Sequence, residues 1–243
     1  MDSSAIVSKP VFYAKCVWPA GPTKKQNWPF KESLIYYIST NPSSAKFYQK
    51  TIQSCKYFFE KNSVLVVSKL KACKDNANSL ICSYTIDECK KNKGKCCVKI
   101  DTAKVSSKIW ITDKLSVKYG SKNFTSVLCS KLYRCEIDRL EICDKLIMFD
   151  DLQLLTSSVK DITLWDNKIT FNDGKPVMLD KIIESSPIVT EFVYKFGNDD
   201  STVNASLKNI MKLENLGKIE YFGLDNLPES LSIEDISAVF KVG

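Results

Sequence analysis

Histidine is absent from the 243-residue chain, so the commonest general base of enzymes and every histidine-containing zinc site are excluded. Ser-His and Cys-His nucleophile pairs are excluded for the same reason. The acidic pairs Asp150-Asp151 and Asp199-Asp200 have no partner base and are interpreted as helix caps. We therefore predict that the protein is not an enzyme and has no catalytic residues.

Glycine and proline are scarce, at eight residues each, which argues against long disordered tracts. No apolar run approaches the roughly 18 residues that a membrane-spanning helix needs. The first residues include Lys9, Pro10 and Lys15 and lack the apolar stretch of a signal peptide. We therefore expect no membrane partner and a location in the cytoplasm or nucleus, where the ten cysteines stay reduced.

Charge is divided unevenly along the chain. Residues 1–100 contain 17 Lys and Arg against 6 Asp and Glu, net +11, and residues 101–243 contain 18 against 22, net −4. This asymmetry predicts two surfaces that face different partners. The lysines are not interleaved with aromatic residues on a recognisable platform, so we do not expect nucleic acid as a partner.

Residues 71–104 form a lysine- and cysteine-rich stretch. Its five cysteines are Cys73, Cys82, Cys89, Cys96 and Cys97. Their spacings are nine, seven, seven and one, and none is the C-x2-C knuckle that zinc sites reuse. We therefore predict no metal site and no cofactor, and interpret the stretch as a basic connector with one short strand or helix around Leu80 to Ile86.

Residues 28–70 are predicted to be helical, after an extended arm at residues 1–27. Trp28-Pro29 precedes a helix with Leu34, Ile35 and Ile38 on one face, and Asn41-Pro42 ends that helix. A second amphipathic segment contains Phe47, Ile52, Cys55, Tyr57 and Phe58. Two such helices are too small to bury their apolar faces against each other, so the rest of the chain or another protein must cover them.

The run Val64-Leu65-Val66-Val67 has two interpretations. Its β-branched residues favour a strand, whereas Leu70, at helical spacing, allows a short helix. We predict the helix.

An apolar pattern recurs after residue 135. Its four copies are Ile137-x-x-Leu140-x-Ile142, Val159-x-x-Ile162-x-Leu164, Val189-x-x-Phe192-x-Tyr194 and Leu216-x-x-Ile219-x-Tyr221. The second copy continues to Asn167, which completes the L-x-x-L-x-L-x-x-N pattern of leucine-rich repeats. Helical patterns lie between the copies around residues 124–132, 179–183 and 203–211, and a last helix is predicted over Ile233 to Phe240. Residues 105–243 are therefore predicted to form an α/β stack of strands and helices with a parallel sheet, and an ordinary α/β domain is the alternative.

Residues 28–70 resemble the F-box, which opens with a Leu-Pro-like start, continues as an apolar helix and ends in a Cys-Lys/Arg-x-Trp/Phe signature. Here Trp28-Pro29 corresponds to the start and Cys55-Lys56-Tyr57-Phe58 to the end. Ser43-Ser44-Ala45 occupies the place of the usual Asp-Leu pair. Followed by the repeats, this segment makes the chain similar to F-box/leucine-rich-repeat proteins, in particular to the divergent F-box-like families of nematodes.

The resemblance implies a substrate receptor of a cullin–RING ubiquitin ligase, in which the F-box-like helices dock on a Skp-type adaptor and the repeats hold a protein substrate. The implied adaptor-binding residues are Trp28, Pro29, Phe30, Leu34, Ile35, Ile38, Cys55, Tyr57 and Phe58. The residues expected to face a partner from the repeat strands are Glu141, Cys143, Thr163, Trp165, Val193, Lys195, Glu220 and Phe222. The missing Asp-Leu pair motivates an alternative, an interaction or inhibitor protein, such as an antidote that binds a specific toxin, with the helices used as core.

Overall fold

A computed structural model describes residues 27–74, 78–84, 86–197 and 207–227. The predicted N-terminal arm, apart from its last residue, and the predicted helix Ile233 to Phe240 lie outside the described residues.

The chain has a mixed α/β fold around a mostly parallel sheet of nine strands. The strands are β1 (Val64–Ala72), β2 (Asn78–Cys82), β3 (Val98–Asp101), β4 (Lys108–Val117), β5 (Leu132–Cys135), β6 (Arg139–Cys143), β7 (Leu146–Met148), β8 (Asp161–Trp165), β9 (Lys168–Thr170), β10 (Glu191–Lys195) and β11 (Tyr221–Asp225). The helices are α1 (Glu32–Thr40), α2 (Ala45–Ser54), α3 (Lys56–Lys61), α4 (Ile86–Lys91), α5 (Phe124–Lys131), α6 (Phe149–Thr156), α7 (Leu179–Glu184) and α8 (Leu207–Ile210), and a 3-10 turn covers Leu216–Lys218.

Most neighbouring strands in the nine-stranded sheet run parallel. The order is β11-β10-β8-β6-β4-β1-β2-β3, with β5 also paired to β4. The neighbours from β11 to β1 run parallel, and β2 and β3 add antiparallel strands at the other end. Strands β7 and β9 form a separate parallel pair. Crossovers that contain helices α5, α6 and α7 join the successive parallel strands from β4 to β10, as parallel pairing requires.

The main core lies on one side of the sheet, between its strands and the crossover helices. Leu140, Ile162 and Phe192 are in register on adjacent strands and are all buried. They belong to the same core cluster as Leu128 of α5 and Leu155 of α6. Side chains alternate between the two sides of a sheet along each strand. On each strand, the residues next to these core positions therefore point to the opposite side of the sheet, which we call the open face.

The repeat pattern was predicted in the correct register for three of its four copies. The second position of the pattern is Leu140, Ile162 and Phe192, and these residues are aligned across β6, β8 and β10. The fourth copy was wrong by three residues, because Phe222, not Ile219, pairs with Phe192. The correct copy is Ile219-x-x-Phe222-x-Leu224, which has the same apolar form.

Helices α1 to α3 pack as a cap on the open-face side, at the amino-terminal ends of β1 and β4. Trp110 lies between the core residues Ile109 and Ile111, so its side chain points away from the main core. It forms a second cluster with Tyr48 of α2 and with Val64 and Val66. The Tyr48 hydroxyl donates to the Asn62 carbonyl and accepts a 3.0 Å hydrogen bond from the Val64 N–H, which fixes the cap to β1.

For residues 64–104, one prediction was wrong and one was incomplete. The helix predicted across Val64 to Leu70 is strand β1, because these β-branched residues pair with β4 on one side and β2 on the other. The stretch 71–104 was interpreted as a connector with one short strand or helix around Leu80 to Ile86. Strand β2 lies there, but the stretch also contains α4 and β3, and the pairing of β2 with β3 makes it part of the sheet.

Candidate binding surfaces

The open face presents rows of polar and aromatic side chains that run across the parallel strands. In register, the first row contains Lys69, Lys114, Arg139, Asp161, Glu191 and Tyr221, the second contains Lys71, Ser116, Glu141, Thr163, Val193 and Gly223, and the third contains Cys143, Trp165, Lys195 and Asp225. The first row changes from basic on β1, β4 and β6 to acidic on β8 and β10. A partner on this face therefore meets a positive region beside a negative one.

Glu141 is the centre of an ion cluster in the basic region. Its carboxylate lies 2.6 Å from the Lys118 ammonium and 3.6 Å from that of Lys114, and it accepts a 3.1 Å hydrogen bond from the Ser116 hydroxyl. Burial opposes ionisation of Glu141, but the Lys118 hydrogen bond and the charges of both lysines together hold its pKa below the ordinary value. Glu141 is therefore engaged within the chain and fixes the two lysines on the open face.

Trp165 is the large exposed aromatic residue at the centre of the third row. Its side chain is 37% exposed, between Cys143 and Lys195 on the neighbouring strands. The Lys118 ammonium lies 5.4 Å from the centroid of its ring, within the range of a cation–π contact. Exposed tryptophan held by its neighbours is the residue type that most often anchors a protein partner.

Asp161 and Glu191 form an acidic pair in register on β8 and β10. Burial raises the pKa of Asp161, and the neighbouring Glu191 carboxylate raises it further, while Arg139 and Lys114 oppose the shift. Two carboxyl groups therefore lie side by side on this part of the open face, which suits it to a basic group on a partner.

The carboxyl ends of the repeat strands turn through left-handed residues. Asp144, Asp166 and Asn226 follow β6, β8 and β11 with φ of 54°, 51° and 53°. Aspartate and asparagine tolerate this conformation better than other residues with a side chain. The turns border a shallow depression lined by Trp165, Lys195 and their neighbours. The depression extends the open face beyond the strand ends.

Lys145 lies next to this depression and is buried. Its ammonium donates to the Cys143 carbonyl at 2.9 Å and to the Asp144 carbonyl at 3.1 Å, and burial lowers its pKa. Lys145 therefore stabilises the turn and does not reach the open face.

Six of the eight residues expected to face a partner lie on the open face. They are Glu141, Cys143, Thr163, Trp165, Val193 and Lys195. The other two were wrong because of the register error in the fourth copy. Glu220 precedes β11, and the Phe222 ring stacks on that of Phe192 at 5.7 Å and packs on the main core. Tyr221, which is exposed on the open face, is the residue missed, and the pattern Ile219-x-x-Phe222-x-Leu224 is the signal that identifies it.

The residues implied in adaptor binding divide into exposed and buried sets. Pro29, Phe30 and Leu34 are exposed, Trp28, Ile38, Cys55 and Tyr57 are half-buried, and Ile35 and Phe58 are buried. Trp28 is half-buried because its ring packs edge-on against Phe58, with centroids 5.6 Å apart. The sequence did not single out Tyr37, which is 62% exposed and lies one helical turn from Leu34. We call Phe30, Leu34 and Tyr37 the cap patch.

A cluster of four thiols at the β2–β3 end of the sheet was also missed. The Sγ atoms of Cys82, Cys89, Cys96 and Cys97 all lie within 4.8 Å of one another. The spacings along the chain gave no sign that these thiols lie together. They do so because β2 pairs antiparallel with β3, which brings the two ends of the intervening segment together. Pairing of Ile81 with Val98 places Cys82 beside Cys97.

Comparison of the chain with protein-family models, with curated proteins and with solved structures finds no match. In the part of the chain that the structure describes, no helix has the length and apolar character required to cross a membrane.

Proposed function

We propose that the protein is a receptor that holds two other proteins, as a substrate receptor of a cullin–RING ubiquitin ligase does. In this proposal the cap patch docks on a Skp-type adaptor, and the open face binds the substrate protein. The cap patch carries the proposal, because Leu34 and Tyr37 remain exposed although Tyr48 of the cap is packed on β1 and β4.

The packing of the cap supports this assignment. Ile35, Tyr48 and Phe58 are already buried within the chain, and Tyr48 belongs to the core cluster that the cap shares with β1 and β4. Phe30 and Leu34 are respectively 58% and 44% exposed, beyond what this core requires. Neighbouring large apolar residues left at the surface of a folded helix mark a site of protein interaction more often than isolated ones do.

The open face supports the second half of the proposal. It combines an exposed tryptophan, Trp165, with an exposed tyrosine, Tyr221, and with charges of both signs. Aromatic and basic side chains of this kind supply most of the binding energy at protein interfaces. The basic residues of β4 and β6 and the acidic pair of β8 and β10 would select and orient the partner.

A second candidate function is an interaction or inhibitor protein without a ligase partner. Burial of Ile35 and Phe58 favours it, because two of the residues expected at the adaptor interface serve as internal core instead. In that case the open face alone binds a partner.

Adaptor binding distinguishes the two candidates. We expect a purified Skp-type adaptor to be retained by the immobilised chain and to be lost with the double variant Leu34→Asp/Tyr37→Asp. Leu154→Asp is the matched control, because Leu154 is a helical leucine with 46% exposure, close to the 44% of Leu34, and lies on α6 outside the cap.

Retention of the adaptor by the double variant would remove the cap patch from the interface. If the wild-type chain does not retain the adaptor at all, the ligase proposal fails and the interaction protein remains. Trp165→Ser then tests the open face: proteins captured by the wild-type chain and by the double variant, but not by Trp165→Ser, bind there.

A further inference from the structure

We propose that Cys82, Cys89, Cys96 and Cys97 bind one structural zinc ion. This site is independent of the proposed receptor function. It rests on the geometry of the four thiols, on the elements that hold them and on the charge that surrounds them.

The four sulfur atoms are arranged as a tetrahedral metal site requires. Zinc–sulfur bonds of about 2.3 Å in a tetrahedron place the sulfur atoms about 3.8 Å apart. All four Sγ atoms lie within 4.8 Å of one another, with 3.3 Å between Cys82 and Cys96 and 3.6 Å between Cys89 and Cys97. A disulfide needs about 2.05 Å. Each sulfur is thus near all three others, whereas paired disulfides would bring each close to one partner only.

Separate elements supply the four ligands. Cys82 is the last residue of β2, Cys89 lies on α4, and Cys96 and Cys97 directly precede β3. Between α4 and β3 the chain turns through Lys93 and Gly94 at φ of 51° and 73°, and the Gly94 N–H donates to the Cys89 carbonyl at 3.0 Å. This turn returns Cys96 and Cys97 to the helix that carries Cys89.

The surroundings suit a zinc–thiolate centre in hydrogen bonding and in charge. The backbone N–H of Tyr84 donates to the Cys82 sulfur, as outer-shell groups do at metal-bound thiolates. Zinc with four thiolates has a net charge of −2, and the same segment carries four exposed lysines, Lys90, Lys91, Lys93 and Lys95. Four cysteine thiolates are the ligand set expected here, because the chain has no histidine that could bind zinc.

A zinc ion bound to the four thiols would stabilise the β2–β3 end of the open face. Cys82 follows the core residue Ile81, so its side chain points to the open-face side of the sheet. A metal bound there ties α4 and the lysine-rich turn to the β2–β3 hairpin. Helix α4 has the sequence IDECKK, with Ile86 as its one large apolar residue, and a metal is a common substitute for a small apolar core.

Metal content and spectroscopy test the proposal on the full chain. Purified under reducing conditions, the wild-type protein is expected to contain about one zinc ion per chain. Replacement of zinc by Co²⁺ should give the visible bands and the near-ultraviolet thiolate charge transfer of a tetrahedral four-sulfur site, a readout that needs no variant.

Substitution of single cysteines tests which thiols bind the metal. Cys96→Ser is expected to weaken zinc binding by more than about 100-fold in competition with a chromogenic chelator, because loss of an outer-shell contact alone costs 10–100-fold. Cys73→Ser is the matched control, as Cys73 is a half-exposed cysteine of the same region that lies outside the cluster, and it should bind zinc like the wild type.

Two results would overturn the proposal. One is a reduced, folded chain that takes up neither zinc nor Co²⁺ into a four-sulfur site. The other is a mass loss of four hydrogens with Cys82–Cys96 and Cys89–Cys97 peptides joined, and no zinc uptake after reduction, which would make the cluster a pair of disulfides.

Discussion

Asn167 offers a quantitative test of how the repeat strands are held together. Its side-chain amide donates to the Ile142 carbonyl at 2.9 Å, and its side-chain oxygen accepts from the Lys145 N–H at 3.0 Å. One side chain on the turn after β8 therefore satisfies two backbone groups at the end of β6. Asn167→Ala removes both bonds and leaves two partly buried backbone groups without a partner.

The expected cost follows from those two groups. A backbone group that loses its partner costs about 1–3 kcal/mol, so two such groups cost about 2–6 kcal/mol. Because both groups are only partly buried, we expect Asn167→Ala to lower the free energy of unfolding by the lower end of this range, about 2–3 kcal/mol. With a urea m-value of about 2–3 kcal/mol/M, the midpoint of urea unfolding should fall by about 1 M. Tryptophan fluorescence, with circular dichroism as a second probe, measures this midpoint.

A second substitution separates hydrogen bonding from packing. Asn167→Asp keeps the shape and the acceptor for Lys145 but cannot donate to Ile142 when ionised. The folded-state pKa of the new carboxyl should be raised, since only its protonated form donates, so this variant should lose stability at neutral pH and recover part of it as the pH falls.

An exposed asparagine provides the control for the Asn167 series. Asn172→Ala removes an exposed 3.0 Å hydrogen bond to Asp150 and should change stability by less than about 0.5 kcal/mol. If Asn167→Ala behaves like Asn172→Ala, the side chain does not hold the strand ends and the reasoning is refuted.

Two further substitutions test the cap and the open face. Tyr48→Phe should lower the free energy of unfolding by about 1–3 kcal/mol, because the Val64 N–H and the Asn62 carbonyl lose their buried partner. An equal loss from Tyr36→Phe, on an exposed tyrosine of α1, would contradict this. Asp161→Asn should raise stability at pH 7 by about 0.5 kcal/mol, because it relieves the repulsion from Glu191. Burial and Glu191 raise the pKa of wild-type Asp161, so the gain should shrink as the pH falls through that pKa and Asp161 becomes neutral. A gain in the free energy of unfolding that does not change with pH would count against the acidic pair.

Sequence patterns alone predicted the strands and helices whose apolar spacing fits only one kind of secondary structure. The alternation Leu140-x-Ile142 and Ile162-x-Leu164 predicts strands with one buried face, and β6 and β8 have that form. Helix α7 was predicted in the same way from Leu179, Ile182 and Ile183, all of which are buried. In these segments the burial that decides the structure is encoded within a few neighbouring residues.

The errors arose where a distant strand decides between two local interpretations. Around β11 the apolar residues fit two frames three residues apart, and pairing of Phe222 with Phe192 selects the later one. Val64 to Leu70 fits helix or strand, and pairing with β4 selects the strand. The cysteine cluster belongs to the same class, because the spacing along the chain says little about thiols that an antiparallel hairpin brings together.

The position of the cap determines which part of the open face a partner protein could reach. The cap lies on the open-face side at β1 and β4, and the cysteine cluster borders the same face at β2 and β3. The accessible part of the face is therefore shifted toward β6, β8, β10 and β11, where Trp165 and Tyr221 are exposed. The cap packs at the amino-terminal ends of β1 and β4, whereas Trp165 is the last residue of β8, at the carboxyl ends of the parallel strands. A partner on Trp165 and an adaptor on Leu34 would thus occupy separate sites, which is the arrangement that a receptor needs.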